Sequence, residues 1–419
     1  MKKERIVWID QLKGFAFFTV ILGHTAINET FKSWIYSFHM PLFLLITGFT
    51  LNMDKLYGTD LKSFFMKNTK RLILPYVWCQ LLCILPRVII AGLTSQQFNF
   101  KRLIFGIFCS NSRLAPMSSM PGYYVILLFF ALLLLWALIK ITNKNKTLIG
   151  AVLFILAAFC TALGDQAVIW HLNVVPTAAL VIFIGKLLME QYENNKDRLS
   201  GLKPWKYVIM CVILLAVGAV FWYMNKRISI HYNRYGKQYV FFLISMLSTS
   251  SALCLIFQKL KPLKILDYIG KNTLFYMLIH LPLINLLQTL LGELSERSYM
   301  NYVISVVIFF ALVPVTKLAE KYAPFLLGRE LRDYRLSSVI GTIGATAFAF
   351  AGIYYKFASK AVALTSPVMY IAAGVAFPVV CAVICLAAYK LCPVVFLCDK
   401  QTADRILVSI RSKLTRSKG

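Results

Sequence analysis

Apolar runs long enough to cross a bilayer recur along the entire chain, and short polar connections separate them. A helix needs about 17 to 25 apolar residues to span the hydrocarbon core. The pattern therefore predicts about twelve membrane-spanning helices and an all-α, polytopic helix bundle. The predicted helices cover residues 6–27, 35–53, 72–92, 121–141, 147–163, 172–189, 206–224, 239–258, 271–290, 301–318, 338–357 and 367–390.

Positive charges occupy alternate connections between these helices. Because Lys and Arg are enriched in cytoplasmic loops, this arrangement predicts that both termini are cytoplasmic. One connection on the outer side, KRISIHYNRYGK at residues 226–237, breaks the rule because it is basic as well as aromatic. It is a candidate outer-facing site, and a solvated loop would explain it equally well. The basic connections lie at residues 2–5, 62–71, 144–146, 196–206, 259–264, 329–335 and 400–418.

The composition is typical of a membrane domain, with 59% hydrophobic and 15% charged residues. Such a chain has too little polar surface to cover a soluble globule. The formal net charge of +28 would suggest nucleic acid in a soluble protein. Here the basic residues lie in short connections, so membrane lipids are expected partners and nucleic acid is not. The ten cysteines are scattered singly, without metal-ligand spacing, and no metal site is predicted.

Three ionisable residues lie within the first predicted helix: Asp10, Lys13 and His24. Ionisable groups inside membrane helices are costly and often functional. Eleven helical steps bring Lys13 and His24 to nearly the same face, about 16 Å apart, and Asp10 lies one turn before Lys13. This stripe could serve a long anionic ligand. An interfacial Asp10–Lys13 pair with a hydrogen-bonded interior His24 would explain the residues equally well.

Further histidines fall near the same predicted level or in outer loops. His39 opens the second helix after a short outer turn, so it should lie near His24, and two imidazoles are a plausible base and orienting group. His280 lies mid-span in a later helix, and a packing hydrogen bond would also account for it. His171 and His231 fall in predicted outer loops and are expected to be solvated.

Five blocks in order give the chain a family resemblance. They are IVWIDQLKGFAFFTVILGH, SFHMPLFLLITGF, KRLILPY, NRYGK and DYIGKNTLFYMLIHLPL. Over about residues 5 to 330 the chain closely resembles the acyltransferase family 3 membrane proteins, which include fucose O-acetylase-like and cell-envelope O-acetyltransferases. The predictions therefore divide the chain into an acyltransferase domain at residues 1–330 and, at 331–419, two additional helices with a basic cytoplasmic tail.

The resemblance implies an integral-membrane O-acetyltransferase of the bacterial plasma membrane. It would move an acyl group from acetyl-CoA on the cytoplasmic side to a hydroxyl of an envelope glycan or lipid-linked sugar. His24 matches the catalytic histidine, and Asp10 and His39 join it as catalytic candidates. Lys13, where many members have Arg, and Arg71 are candidates for binding the CoA phosphates. Asn272, His280 and Tyr235 are candidates for acceptor binding or support.

The chain departs from the family pattern in the fourth helix. That helix starts MPGYYVILLFF where members often show a Trp-Phe-Leu signature. On the implied mechanism His24 acts either as the general base toward the acceptor hydroxyl or as a transient acyl carrier, with His39 orienting it.

Two other classes would also have many apolar helices. A secondary transporter of a small anionic substrate is one, but the two halves show no repeat and the ionisable residues concentrate in the first two helices. A membrane scaffold with a basic tail is the other, and it would leave the His24 and His39 blocks without a purpose. The residues favour the enzyme.

Overall fold

A computed structural model describes residues 6–25, 27–84, 86–87, 90, 100–111, 122–226 and 228–329. The predicted helices at 338–357 and 367–390, and the basic tail, lie outside the described residues. Within them the fold is a helix bundle with one small β-hairpin. The helices are α1 (Val7–His24), α2 (Glu29–Phe49), α3 (Met53–Gly58), α4 (Leu61–Asn68), α5 (Leu74–Leu82), α6 (Phe100–Cys109), α7 (Tyr123–Ile141), α8 (Lys146–Ala162), α9 (Val175–Ser200), α10 (Pro204–Asn225), α11 (Tyr239–Lys259), α12 (Lys264–Lys271), α13 (Thr273–Leu291) and α14 (Ser298–Tyr322).

Six helical segments of the described chain are long and apolar enough to cross a membrane. This confirms an all-α polytopic bundle, whereas the count of twelve and the cytoplasmic termini stay predictions. The segment α10 is the least covered by protein, with 17% of its apolar window buried. The six segments are Tyr123–Ile141, Ile169–Ser200, Pro204–Asn225, Tyr239–Lys259, Thr273–Glu296 and Ser298–Tyr322.

Helix α1 lies at the centre of the bundle and packs against α2, α11, α12, α13 and α14. Its apolar side chains Leu12, Phe17 and Ile21 are fully buried. Two glycines let α1 and α12 approach closely: a Cβ atom on Gly14 would collide with the Leu266 carbonyl, and one on Gly270 with the backbone of Asp10. Most of the α1 sequence therefore serves packing, and its ionisable residues are Asp10 and Lys13 in the first half and His24 at the end.

The segment between the second and third predicted helices is helical, which corrects its prediction as a loop. Side-chain caps explain the difference, because Asn52 accepts the Lys55 N–H and begins α3, while Asp60 accepts the Ser63 N–H and begins α4. Helix α2 likewise begins six residues before its predicted start, where Asn28 caps it. Hydropathy alone does not detect these polar helix starts.

The basic and aromatic connection after α10 folds into a hairpin. Strand β1 (Ile228–Ser229) pairs antiparallel with β2 (Arg234–Tyr235), and a helical turn at Ile230–Tyr232 joins them. Asn233 follows the turn with a φ of 54°, and its side-chain amide donates hydrogen bonds of 2.8 and 2.9 Å to carbonyls at the end of α8. Asn225, the last residue of α10, donates a 2.7 Å hydrogen bond to the Tyr235 carbonyl. The hairpin is therefore fixed to two helix ends.

Candidate active site

A cavity of about 200 Å³ lies where α1 ends, at the predicted outer end of the bundle. Helices α1, α2, α7 and α13 and the hairpin form its wall. Histidine, tyrosine and a serine supply its polar atoms, and aliphatic and Met side chains supply the rest. The lining residues are Val20, His24, Tyr36, His39, Met40, Tyr123, Ser229, Ile230, His231, Tyr232 and Met277.

The cavity contains both histidines of the first two helices, as their spacing predicts. His24 is the last residue of α1 and is half-buried. His39 is 4% exposed, and its Nδ1–H donates a 2.8 Å hydrogen bond to the Ile35 carbonyl. In the neutral ring this leaves Nε2 as an acceptor. The Tyr36 hydroxyl, two turns into α2, donates a hydrogen bond to the Gly23 carbonyl and so links α2 to the end of α1.

His280 lies beside His24, with 5.2 Å between the ring centroids. It is fully buried on α13, and its Nδ1–H donates a 3.0 Å hydrogen bond to the Tyr276 carbonyl. The Phe17 ring packs edge-on at 5.4 Å. The packing hydrogen bond considered for His280 is thus present, and it occupies only one of the two ring nitrogens.

His171 and His231 also reach this region, so the expectation that they are solvated is wrong. His231 lines the cavity, and the His171 ring lies 4.7 Å from it. His171 is 2% exposed and donates from Nε2 to the Ser110 carbonyl. The Tyr123 ring packs against both imidazoles. The unusual charge of residues 226–237 was the signal for this site, but the folding-back of the hairpin was not visible in the sequence.

Tyr235, a candidate from the same connection, does not belong to the cavity wall. It is 5% exposed and packs against the Tyr239 and Phe242 rings at 5.1 and 5.0 Å. Its role in the structure is to anchor the hairpin on α11. The tyrosines that do face the cavity, which sequence reasoning missed, are Tyr36, Tyr123 and Tyr232.

Asp10, one of the predicted catalytic candidates, lies far from the histidines. Fourteen helical steps separate it from His24, which is about 21 Å along α1. Its buried carboxylate instead pairs with the Lys13 ammonium at 3.2 Å. Lys13 keeps 26% of its side-chain surface exposed. The Asp10–Lys13 ion pair that the spacing suggested is therefore present.

Asn272 also lies away from the cavity, at the predicted cytoplasmic start of α13. Its amide donates to the Glu320 carboxylate at 3.2 Å, and its carbonyl accepts a 2.6 Å hydrogen bond from Arg329. Arg329 and Tyr268 also donate to Glu320. Burial and the neighbouring Glu320 carboxylate raise the pKa of Tyr268, so its hydroxyl stays protonated as the donor. Asn272 thus supports the packing of α12, α13 and α14.

Arg71 is exposed on a π-helical turn at Thr69–Ile73 that precedes α5. Gly328 packs closely against the Arg71 carbonyl, which brings Arg329 near the same surface. Lys13, Arg71 and Arg329 therefore all lie at the predicted cytoplasmic end. The sequence motifs did not identify Arg329 as a site residue.

This arrangement places the Lys13 cation in the first half of α1 and imidazoles around its other end. Neutral imidazoles can accept a proton from a hydroxyl or carry an acyl group, and cations bind phosphate. A family model described as an acyltransferase domain, that of acyltransferase family 3, matches residues 6–319. No curated protein and no solved structure matches the chain. Its apolar helices and this match over most of its length show that the chain is a membrane protein that belongs to acyltransferase family 3.

Proposed function

We propose that the protein is an O-acetyltransferase of the bacterial plasma membrane. It moves the acetyl group of cytoplasmic acetyl-CoA to a hydroxyl of a cell-envelope glycan or lipid-linked sugar. One observation carries the proposal: α1 is a continuous helix with Lys13 near one end and His24 in a cavity at the other. The donor and the acceptor can therefore reach one reaction centre from opposite sides of the membrane.

The donor is held by charge at the predicted cytoplasmic end. Lys13 and Arg71 bind the CoA phosphates, whereas the Arg329 guanidinium is held by Glu320 and Asn272. The eleven helical steps from Lys13 to His24 correspond to about 16 Å, a distance that an extended pantetheine arm can cover. The thioester then lies near His24, and the nucleotide stays at the opposite end.

The acceptor hydroxyl enters the cavity from the outer side. Tyrosine hydroxyls, the Ser229 hydroxyl and the imidazoles of His39 and His231 supply hydrogen-bonding groups, and Met40 and Met277 supply apolar contact. A few placed polar groups in a mainly apolar wall are typical of small-molecule sites. The cavity thus suits one hydroxylated ring better than a long polymer segment.

His24 acts in one of two ways that give the same products. As a general base it takes the proton of the acceptor hydroxyl while that oxygen attacks the thioester carbonyl, and the carbon–sulfur bond breaks. The proton then passes to the leaving CoA thiolate. As a nucleophile its ring nitrogen first attacks the thioester carbonyl, the carbon–sulfur bond breaks, and CoA leaves as the thiolate. The acceptor oxygen then attacks the acyl-imidazole, the carbon–nitrogen bond breaks, and the hydroxyl proton passes to the CoA thiolate.

The test is transfer of radiolabelled acetyl from acetyl-CoA into the envelope fraction. Cells with the intact protein are compared with cells that express His24→Ala at the same level. A matched control is Val208→Ala, which alters an exposed residue of α10 far from the cavity wall. Label with the intact protein and the control, but not with His24→Ala, is the expected result. Equal label in all three would refute the proposal.

A further inference from the structure

We propose that His280 is the positioning residue for His24. In this arrangement His280 Nε2 accepts the N–H of His24, directly or through one water molecule. The other His24 nitrogen then presents its lone pair to the acceptor hydroxyl or the thioester. This role for His280 rests on the proposed function, in which His24 is the base, and His280 fixes the reactive tautomer of His24.

The hydrogen bonding of His280 leaves one atom available for this role. A backbone carbonyl only accepts, so the nitrogen bonded to the Tyr276 carbonyl must be protonated Nδ1–H. In a neutral imidazole the second nitrogen is then an acceptor. That nitrogen, Nε2, is buried and has no hydrogen-bond partner among the described residues.

The burial of His280 Nε2 suggests that this nitrogen has a role beyond packing. A buried polar atom without a partner costs free energy, and most such atoms in native proteins are satisfied. A leucine or phenylalanine at this position would fill the space beside Phe17 without that cost. The His24 ring, whose centroid lies 5.2 Å from that of His280, can supply an N–H donor. Catalytic hydrogen bonds are often long in the free enzyme and shorten when the substrate is bound.

The position of His280 relative to the cavity favours it over His39 as the orienting group. His39 belongs to the cavity wall, where its Nε2 can contact the acceptor. His280 is not part of that wall and lies behind His24, in the core between α1 and α13. A base that is oriented by a third group on the side away from the substrate is a recurrent arrangement in enzymes.

Two substitutions of His280 distinguish its role in positioning His24 from its role in packing. His280→Gln keeps an acceptor near the former Nε2, whereas His280→Asn keeps only a group near the former Nδ1 that can bond to Tyr276. Both enzymes are purified in detergent and assayed for acetyl transfer, and thermal unfolding is measured to confirm that both are folded. We expect His280→Asn to lower kcat by about tenfold or more, with KM for acetyl-CoA within about twofold of the intact protein. His280→Gln should recover at least a third of the lost kcat.

Each outcome is decisive. Equal activity of the two folded variants, or an unchanged kcat in His280→Asn, would overturn the positioning role while His24→Ala stays inactive. Unfolding of His280→Asn but not His280→Gln would also overturn it, because Asn preserves the packing hydrogen bond. Absence of transfer by the intact protein would instead refute the proposed function itself.

Discussion

Replacement of Lys13 by alanine tests whether this ammonium group binds the acyl donor. The substitution removes one cation from the predicted cytoplasmic end. A charge-assisted hydrogen bond to phosphate is worth about 1.5 to 3 kcal/mol. Its loss should therefore raise KM for acetyl-CoA by about 10- to 150-fold and leave kcat nearly unchanged, because the phosphates lie far from the reacting atoms.

The same substitution has a structural effect that must be separated from binding. The Asp10 side chain is 4% exposed, and the substitution removes the Lys13 ammonium that lies 3.2 Å from its carboxylate. Removing one partner of a buried pair costs about 3 to 5 kcal/mol, and the partial exposure of Lys13 reduces this to about 1 to 3 kcal/mol. Lys13→Ala should therefore also unfold at a lower temperature.

The double variant Asp10→Asn/Lys13→Ala separates the two effects. The asparagine carries no charge and does not need the lysine, so the unfolding temperature in detergent should return toward that of the intact protein. KM for acetyl-CoA should stay high, since no ammonium group is restored. The assay is acetyl transfer by purified protein at varied acetyl-CoA. Recovery of KM together with stability would refute the donor-binding role and leave Lys13 as a structural counter-ion.

Three further predictions concern packing and the acceptor side. Gly270→Ala places a Cβ atom against the Asp10 backbone and should lower the free energy of unfolding by about 1 to 3 kcal/mol, measured by thermal unfolding in detergent. His231→Ala removes a cavity imidazole and should raise KM for the acceptor, measured once the acceptor has been identified from labelled envelope. Asn233→Gly keeps the left-handed backbone but removes two hydrogen bonds to α8, so it should also raise KM for the acceptor and leave KM for acetyl-CoA unchanged.

Each of these predictions has a control within the chain. Gly58→Ala adds a Cβ atom in open space and should not destabilise the protein. Equal destabilisation by both glycine substitutions would contradict the close crossing of α1 and α12. For the hairpin, Asn195→Gly removes a side-chain hydrogen bond on an exposed part of α9 and should leave both KM values unchanged. If Asn233→Gly alters only KM for acetyl-CoA, the hairpin does not form the acceptor side.

The neighbourhood of His24 and His39 could be predicted because it depends on local geometry. Only a short turn separates α1 from α2, so the two helices must be neighbours in the bundle. The start of α2 at Glu29 was not predicted, and it places ten residues of helix before His39. The pairing of Asp10 with Lys13 was likewise visible in their spacing of three residues. In both cases residues close in the sequence determine the contact.

The contact between His24 and His280 could not be predicted in this way. These residues are more than 250 positions apart, and the order of helices in the bundle decides which faces meet. That order depends on close approaches such as Gly270 against Asp10, where the absence of a side chain matters. The sequence shows that residue 270 is a glycine, but it does not show that α1 packs against it.

The hairpin could not be predicted for a related reason. Its basic and aromatic composition is equally compatible with a solvated loop and with an outer-facing site. The side-chain amide of Asn233 donates to the carbonyls of Cys160 and Gly164, 73 and 69 residues away, and the Tyr235 ring packs against rings of α11. These distant contacts bring His231 into the cavity wall.

Helix α10 has a consequence for the lipid around the protein. Trp205 and Tyr223 lie near its two ends, each with a lysine ammonium over or near its ring, and such residues settle at membrane interfaces. Eighteen helical steps separate the two rings, which is about 27 Å and close to the hydrocarbon thickness of about 30 Å. The helix therefore matches a bilayer of ordinary thickness.

Because Asn225 at the end of α10 is bonded to the hairpin, the depth of the hairpin follows the tilt of this helix. A thin bilayer increases the tilt of α10. A bilayer thicker than the distance between its aromatic ends must become thinner around the helix. Acetyl transfer by protein reconstituted in lipids of graded chain length should then pass through a maximum. On the proposed function, membrane thickness should therefore affect how the cavity binds the acceptor.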